Sequence, residues 1–255
     1  MKPTANKDNS IYSSFQVTCP RFIAHLDIMG FKDLVYRNSH NDVAKIMNVA
    51  CFNVQNLKEF EADSLKIKAK NKPDIAKGIV LPVMFSDSVL LVSRSNTIYD
   101  ARKIAYAVSF LMYTMLVAHI PLKGALSYGV FTADFKNSRF FGRPLIDSYL
   151  LSEDINFYGA VLHHTFENFL RQKKEEWPTE FLKTEPVPLK AGNITHGFID
   201  WRFHLGKHLR KDRSTRTILQ SFYNTVSGNT RRYVDNTIHV YRDVEDKMKG
   251  SMKGS

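Results

Sequence analysis

Apolar and polar positions along the chain change between strand-like and helix-like periods. Residues 23–28 form a short apolar run that predicts a buried strand, and one acidic residue, Asp27, lies near its end. Gly30 then breaks the pattern, after which residues 33–36 and 41–60 carry apolar side chains at helical spacing. The first part of the chain is therefore expected to be a strand followed by two helices.

Two further apolar runs, within residues 79–93, are separated by Ser86-Asp87-Ser88. This pattern is typical of a tight hairpin with one acid at its tip. Residues 122–131 alternate like another strand. Gly124 and Gly129 within that strand indicate a bulge, or a group that comes close to the backbone.

The remaining periodic segments predict elements of both kinds. They are a long buried helix (97–120), a helix (143–155), a strand (157–162), a helix (165–174), a hairpin (186–201) and two C-terminal helices (214–226 and 231–249). The order up to residue 162 is β-α-α-β-β-α-β-α-β, and the helix predicted at 165–174 follows it. Strands and helices mixed in this way indicate an α+β fold.

Composition adds the broad class of the protein. A chain of 255 residues, 44% of them hydrophobic, can form one domain with an extension or two small domains. Cys19 and Cys51 form no CxxC motif, so a reducing cytoplasm is the expected setting. Residues 1–14 are polar and lack the apolar centre of a signal peptide. The longest apolar stretch, residues 104–117, is too short to span a bilayer, so no membrane segment is expected.

The formal net charge of +11 raises the question of nucleic-acid binding. Much of the excess is local to the C-terminal part, in Arg202, Lys207, His208, Arg210, Lys211, Arg213, Arg216, Arg231 and Arg232. Helical spacing places several of these on solvated faces. We therefore expect a solvated surface, or attraction of a polyanionic nucleotide or partner, and keep a nucleic-acid-binding protein as an alternative based on charge alone.

Asp27 and Asp87 are the main candidates for chemistry. Each lies where an apolar strand ends, and an acid there is either a turn or cap residue or a ligand. If the two strands are neighbours in one sheet, both carboxylates can face a pair of divalent cations about 4 Å apart, as in phosphoryl transfer. The turn Met29-Gly30-Phe31, at the start of a predicted helix, offers backbone N–H groups to an anion.

Four segments resemble, in order and approximate spacing, the motifs of class III nucleotide cyclases: residues 26–31, 85–89, 122–129 and 140–153. The resemblance covers residues 20–165. It implies an α+β, ferredoxin-like cyclase core with a mixed or antiparallel sheet flanked by helices, plus a C-terminal helical extension. The expected parts are a flexible N-terminus (1–18), a cyclase catalytic domain (19–203) and a helical extension (204–255).

The resemblance also implies the roles of individual residues. Asp27 and Asp87 are the catalytic metal ligands, with the backbone carbonyl of Ile28, and the cofactors are two divalent cations, Mn²⁺ or Mg²⁺. The family's phosphate cradle corresponds to Met29, Gly30, Phe31 and Lys32. Lys123 replaces an arginine that binds the triphosphate, which keeps the charge but loses the bidentate fork. The alternative for Lys123 is a lysine on an edge strand.

The chain departs from purine cyclases where those enzymes read the base. Val83 replaces a lysine or glutamate, and the second base-reading position falls near Arg139. The asparagine and arginine that stabilise the transition state in the family fall near Ile146 and Leu150, so that pair is absent. Either Arg139, Arg143 or a basic residue of a partner subunit stabilises the developing charge, or the enzyme is slow or degenerate. This combination is similar to the pyrimidine cyclases of bacterial anti-phage signalling, called Pycsar.

We therefore expect a uridylate or cytidylate cyclase that makes a cyclic nucleotide messenger in antiviral defence. UTP is favoured over CTP because Arg139 can donate to carbonyl groups, and uracil presents two of them. The resemblance implies a head-to-tail homodimer whose active sites are shared between subunits. The alternatives are an adenylate or guanylate cyclase, and a catalytically inactive cyclase-like module that binds nucleotide and regulates a partner.

Overall fold

The structure of the chain is a computed structural model that describes residues 15–57, 78–173, 181–204, 215–224 and 226–252. Most of the predicted flexible N-terminus lies outside the described residues, as do the last residues of the helices predicted at 41–60 and 165–174. The part of the basic cluster between residues 205 and 214 also lies outside them.

Eight strands form one sheet within the described residues. They are β1 (Thr18–Ile28), β2 (Val80–Phe85), β3 (Ser88–Ser93), β4 (Leu122–Asp134), β5 (Arg139–Phe141), β6 (Ala160–Leu162), β7 (Leu182–Leu189) and β8 (Gly192–Ile199). The helices are α1 (Phe31–Arg37), α2 (His40–Asn56), α3 (Ile98–Val117), α4 (Arg143–Asp154), α5 (His164–Gln172), α6 (Thr215–Tyr223) and α7 (Asn229–Met252), with a 3-10 turn at Trp201–His204. None of the described helices combines the length and the apolar character that crossing a bilayer requires. The predicted α+β fold is confirmed.

The sheet has the order β2-β3-β1-β4-β6-β8-β7, and β5 pairs with one end of β4. All pairs are antiparallel except β4 with β6, so the sheet is mixed. β1 pairs with β4 over its whole length and with β3 near its end. The end of β1 therefore has a neighbouring strand on each side.

The two faces of β1 are both covered, because successive side chains of a strand point to opposite faces. Phe22 and Leu26 belong to the larger core, which also contains most of the buried side chains of α3. Ile23 points the other way, into a smaller apolar cluster. α4 packs on this second face, where Ser127 Oγ donates a 2.6 Å hydrogen bond to the carbonyl oxygen of Pro144.

Two glycines confirm the predicted close approaches to β4. A Cβ at Gly124 would overlap the carbonyl oxygen of His25 on β1, and a Cβ at Gly129 would lie 2.9 Å from Cγ of Pro144 on α4. Glycine at these positions therefore lets β1 and α4 pack closely against β4.

Several elements differ from the prediction, among them β1, which begins at Thr18 instead of residue 23, and β7, which begins at Leu182 instead of residue 186. α3 ends at Val117 instead of residue 120, because His119 takes a φ of 61° and leaves the helical region. β6 begins at Ala160 instead of residue 157. β5 was not predicted, since its three residues are too few to show a period.

The described C-terminal helices pack against the larger core. α6 and α7 contribute Leu219, Phe222 and Val234 to it. On α7, Thr237 Oγ1 accepts a 2.8 Å hydrogen bond from the backbone N–H of Tyr158, in the loop after α4. The C-terminal helices are thus bound to the loop that follows α4. The domain boundary after residue 203 stays a prediction.

Candidate active site

Asp27 lies at the end of β1, where β3 and β4 flank it. It is directly opposite Ser88 on β3 and Lys123 on β4. Residues paired in this way point to the same face of a sheet, which here is the face that α4 covers. Ser88 Oγ donates to Oδ1 of Asp27 at 3.5 Å. A carboxylate, a hydroxyl and an ammonium group therefore share one end of the sheet.

Asp87 lies in the turn between β2 and β3, and the backbone ties this turn to the end of β1. The turn is tight, with a φ of 54° at Ser86. The backbone N–H of Ile28 donates a 2.9 Å hydrogen bond to the carbonyl oxygen of Asp87. The hairpin tip and the strand end are therefore neighbours.

In the part of the chain that the structure describes, neither acid has a basic partner. Among the described residues, Asp27 and Asp87 form no ion pair with lysine, arginine or histidine. Burial, and secondly the negative charge of Asp87, raise the pKa of Asp27 to about 6, against the opposing charge of Lys123. Two neighbouring carboxylates without a counter-ion favour the binding of a cation.

Replacing Asp27 with asparagine is expected to stabilise the fold at neutral pH. The pKa of Asp27 is about 6 in the folded chain and 3.8 ordinarily. A proton therefore binds to the Asp27 carboxylate more tightly in the folded chain than in the unfolded chain. The stability from this proton is present below about pH 4 and is lost as the pH rises through about 6. For a fully buried group this pKa shift would change the free energy of unfolding by about 3 kcal/mol. Because Asp27 is partly exposed, the expected change is on the order of 1 kcal/mol. Thermal unfolding should then show a melting temperature higher by about 3 °C at neutral pH.

The pH dependence and a control variant separate this effect from others. The gain should disappear below about pH 4, where Asp27 is mostly protonated in the unfolded chain as well as in the fold. Asp33→Asn is the matched control, because Asp33 is an exposed acid that faces exposed Arg37 at 3.9 Å. Equal melting temperatures for Asp27→Asn and the unmodified chain at neutral pH would contradict the raised pKa.

Lys123 is held by an acid of α4. Its Nζ lies 3.3 Å from Oε1 of Glu153, and its side chain is 8% exposed, against 45% for Glu153. The alternative of an edge-strand lysine is wrong, because β4 lies between β1 and β6. Lys123 is therefore a largely buried positive charge on the strand next to Asp27.

His25 and Glu153 were not predicted as residues of this site. His25 precedes Asp27 by two positions and shares its face of β1, and its Nδ1 lies 3.5 Å from Ser152 Oγ. Burial lowers the pKa of His25 below its ordinary value, so the imidazole is neutral at neutral pH. Strand alternation could have indicated His25, whereas no local pattern indicates that Glu153 contacts Lys123.

The turn after β1 retains part of the predicted phosphate cradle. Gly30 has a φ of 76°, a left-handed conformation that favours glycine, and forms the N-cap of α1. Phe31 and Lys32 lie in the first turn of that helix, where backbone N–H groups lack intrahelical partners. The prediction for the backbone of Met29 is wrong, because its N–H donates to the carbonyl oxygen of Pro121 at 2.9 Å.

The two predicted base-recognition residues lie far apart. Val83 on β2 points to the same face of the sheet as Asp27. β3 lies between β2 and β1, so the strands of these two residues are about 10 Å apart. Arg139 lies on β5, where its Nη2 donates to Asp134 Oδ2 at 2.6 Å. Lys123 and Asp134 are near opposite ends of β4, roughly 35 Å apart in a regular strand. Within one chain Arg139 is therefore remote from the two acids.

α4 exposes apolar side chains next to the site. Ile146, Tyr149 and Leu150 are 59%, 49% and 58% exposed and share one side of the helix. Ser148 and Ser152, on the other side, are buried against the sheet. Ile146, Leu150 and the exposed part of Tyr149, whose ring packs against His25, thus form an apolar stripe on α4 that is available for contact with another molecule.

The donor atoms fit a hard divalent cation. The described residues contain no cluster of three or more His, Cys, Asp or Glu that suits a metal ion. Mg²⁺, however, is commonly bound by one or two carboxylates, with waters and substrate phosphates completing the shell. Asp27 and Asp87 are carboxylates of this kind, and the adjacent carbonyl of Ile28 is the predicted third donor. The residues present therefore fit a cation that binds together with a triphosphate.

The architecture is similar to that of a solved nucleotide cyclase. The catalytic core of a rhodopsin-guanylyl cyclase with converted specificity, in complex with ATPαS, matches with a TM-score of 0.51 and 12% identity over 71% of this chain and 94% of that one. The chain has the class III nucleotide cyclase fold. The adenylyl cyclase CyaB from P. aeruginosa has a TM-score of 0.46 and 12% identity, over 77% of this chain and 99% of its own. A bacterial light-regulated adenylyl cyclase has values of 0.47 and 11%, over 82% and 99%.

No family model and no curated protein matches the sequence. Because the sequence identity to the guanylyl cyclase core is 12%, this similarity shows the fold alone. The activity therefore has to be argued from the residues of the site.

Proposed function

We propose that the protein is a nucleotide cyclase, which converts a nucleoside triphosphate into its 3′,5′-cyclic monophosphate and pyrophosphate. The observation that carries the proposal is the meeting of Asp27 and Asp87 at the end of β1, with no basic partner among the described residues. Two neighbouring carboxylates that no basic side chain of the described residues neutralises suit the two-cation chemistry of phosphoryl transfer. The cyclase fold supports the same conclusion.

The chemistry needs one bond formed and one broken. The ribose 3′ oxygen bonds to the α-phosphorus and loses its proton to water, while the bond from that phosphorus to pyrophosphate breaks. Asp27, Asp87 and the carbonyl of Ile28 would hold two divalent cations, Mn²⁺ or Mg²⁺. Such cations lower the pKa of the attacking hydroxyl and neutralise the triphosphate. Lys123 and the backbone of residues 30–32 would bind the phosphates of the substrate.

The finer proposal is a pyrimidine substrate, UTP or CTP. Val83 supports it, because an apolar, partly buried side chain on the face of Asp27 cannot donate to a purine edge as a lysine does. A cationic reader such as Arg139 favours carbonyl acceptors, which is the reason for placing UTP before CTP. We further propose that the product is a cytoplasmic messenger in anti-phage defence.

We infer a homodimer with shared active sites. Arg139 lies roughly 35 Å from the acids of its own chain, so it can serve as a base reader only at the site of a partner. The exposed apolar stripe of α4 lies on the sheet face that carries Asp27 and supports a contact between two chains there.

A panel of substrates tests the proposal. The protein is incubated with ATP, GTP, UTP or CTP and Mn²⁺, and cyclic products are measured by mass spectrometry. We expect cyclic UMP or cyclic CMP to form at least about tenfold faster than either purine product. Product mainly from ATP or GTP would contradict the pyrimidine proposal, and no product from any triphosphate would contradict the cyclase.

A second candidate is an inactive cyclase-like module that binds nucleotide and regulates a partner. The exposed apolar residues Ile146 and Leu150, at the positions of the family's transition-state pair, favour it. Nucleotide binding without any cyclic product in the same panel would identify this case.

A further inference from the structure

We propose that Glu153 is a positioning residue that holds the ammonium group of Lys123 away from Asp27 and so keeps the two acids open to cations. The proposal rests on the proposed function, because it concerns the same site. It gives a role to Glu153 in the last turn of α4, a residue to which the proposed binding of cations and phosphates assigns none.

The geometry of β1 and β4 places Lys123 where it could neutralise Asp27. The two residues are direct cross-strand partners, and opposite charges in such positions normally attract each other. The lysine ammonium is instead 3.3 Å from Glu153 Oε1, while the side chain of Asp27 contacts Ser88. Glu153 thus competes successfully with Asp27 for the same cation.

Burial explains why this competition matters. The side chain of Lys123 is 8% exposed, so water cannot replace a lost carboxylate partner well. Without Glu153, the acid nearest along the sheet is Asp27. A bridge from Lys123 to Asp27 would then have to be broken before a divalent cation could bind there.

The position of Glu153 is itself fixed by elements that come later in the chain. The backbone N–H of Lys190, in the turn between β7 and β8, donates to the carbonyl oxygen of Asp154 at 2.8 Å. On α7, Asn236 Nδ2 donates to the carbonyl oxygen of Asn156 at 2.7 Å. These bonds hold the end of α4, so the C-terminal helix supports the residue that positions Lys123.

Binding of Mn²⁺ to the protein without nucleotide tests the proposal. Electron paramagnetic resonance of free Mn²⁺ gives the affinity of the unmodified chain, Glu153→Gln, Lys123→Met and the double variant. We expect Glu153→Gln to bind Mn²⁺ about tenfold more weakly, as is common when a residue that orients a metal site is changed. In the Lys123→Met background, removal of Glu153 should have little further effect, because no ammonium remains to bridge Asp27.

Controls separate this role from net charge and folding. Asp154→Asn removes a neighbouring exposed acid and should leave the affinity unchanged, and a single cooperative thermal transition in each variant shows that it folds. Wild-type affinity in Glu153→Gln would overturn the proposal, and so would the same loss with and without Lys123. Because the readout needs no turnover, failure of the cyclase assay leaves this result interpretable.

Discussion

Asp87→Ala is expected to abolish formation of the cyclic nucleotide, with activity lower by roughly a thousandfold or more. Asp87 lies in the hairpin turn tied to the end of β1, beside Asp27, and has no basic partner among the described residues. Removing its carboxylate leaves a single acid where two are needed to hold the cations. The initial rate of cyclic product, measured at saturating Mn²⁺, gives the loss.

The matched control for this prediction is Asp33→Ala. Asp33 is an exposed acid in the first turn of α1, and its side chain faces Arg37. It should keep activity within about twofold of the unmodified chain, since surface substitutions of this kind have small effects. If Asp87→Ala retains a tenth or more of the activity while folding normally, the assignment of Asp87 as a metal ligand is wrong.

Leu150→Asp is expected to produce an inactive monomer. Leu150 is 58% exposed in the single chain, so an aspartate there has little effect on folding. If the α4 stripe forms the dimer contact, the change places a charge in an apolar interface and weakens association by about 100-fold or more. Because the proposed site needs residues of both chains, activity should be lost together with the dimer. Sedimentation velocity gives the oligomeric state and the cyclase assay gives the rate.

Phe52→Asp provides the comparison for the interface. Phe52 on α2 is 61% exposed, and α2 packs on the opposite face of the sheet from α4. This variant should remain dimeric and active. A dimeric, active Leu150→Asp variant would show that α4 does not form the interface.

The strands and the two acids could be predicted because their signals are local. The apolar run before Asp27 predicts a buried strand whichever elements surround it, and the Ser86-Asp87-Ser88 turn predicts a hairpin by itself. Gly124 indicated a close approach to β4, and the structure identifies the approaching group as the backbone of His25. Such features depend on a few neighbouring residues, so they can be read before the fold is known.

The partners of these residues could not be predicted, because they depend on how distant segments pack. Glu153 contacts Lys123 only because α4 lies across β4, which is a property of the whole sheet. The position of Lys123 on an internal strand follows from the strand order, which periodicity does not reveal. The backbone of Met29 was assigned to phosphate binding, yet Pro121 accepts its hydrogen bond.

Crystals of the protein grown with Mn²⁺ and a non-hydrolysable UTP analogue offer the most direct test that Asp27 and Asp87 act as a pair. Anomalous scattering locates the manganese independently of any assumption about the site. The predicted result is manganese between the two carboxylates, with the triphosphate extending toward Lys123. Manganese bound elsewhere, or Asp27 bridged to Lys123 while the nucleotide is bound, would contradict the account.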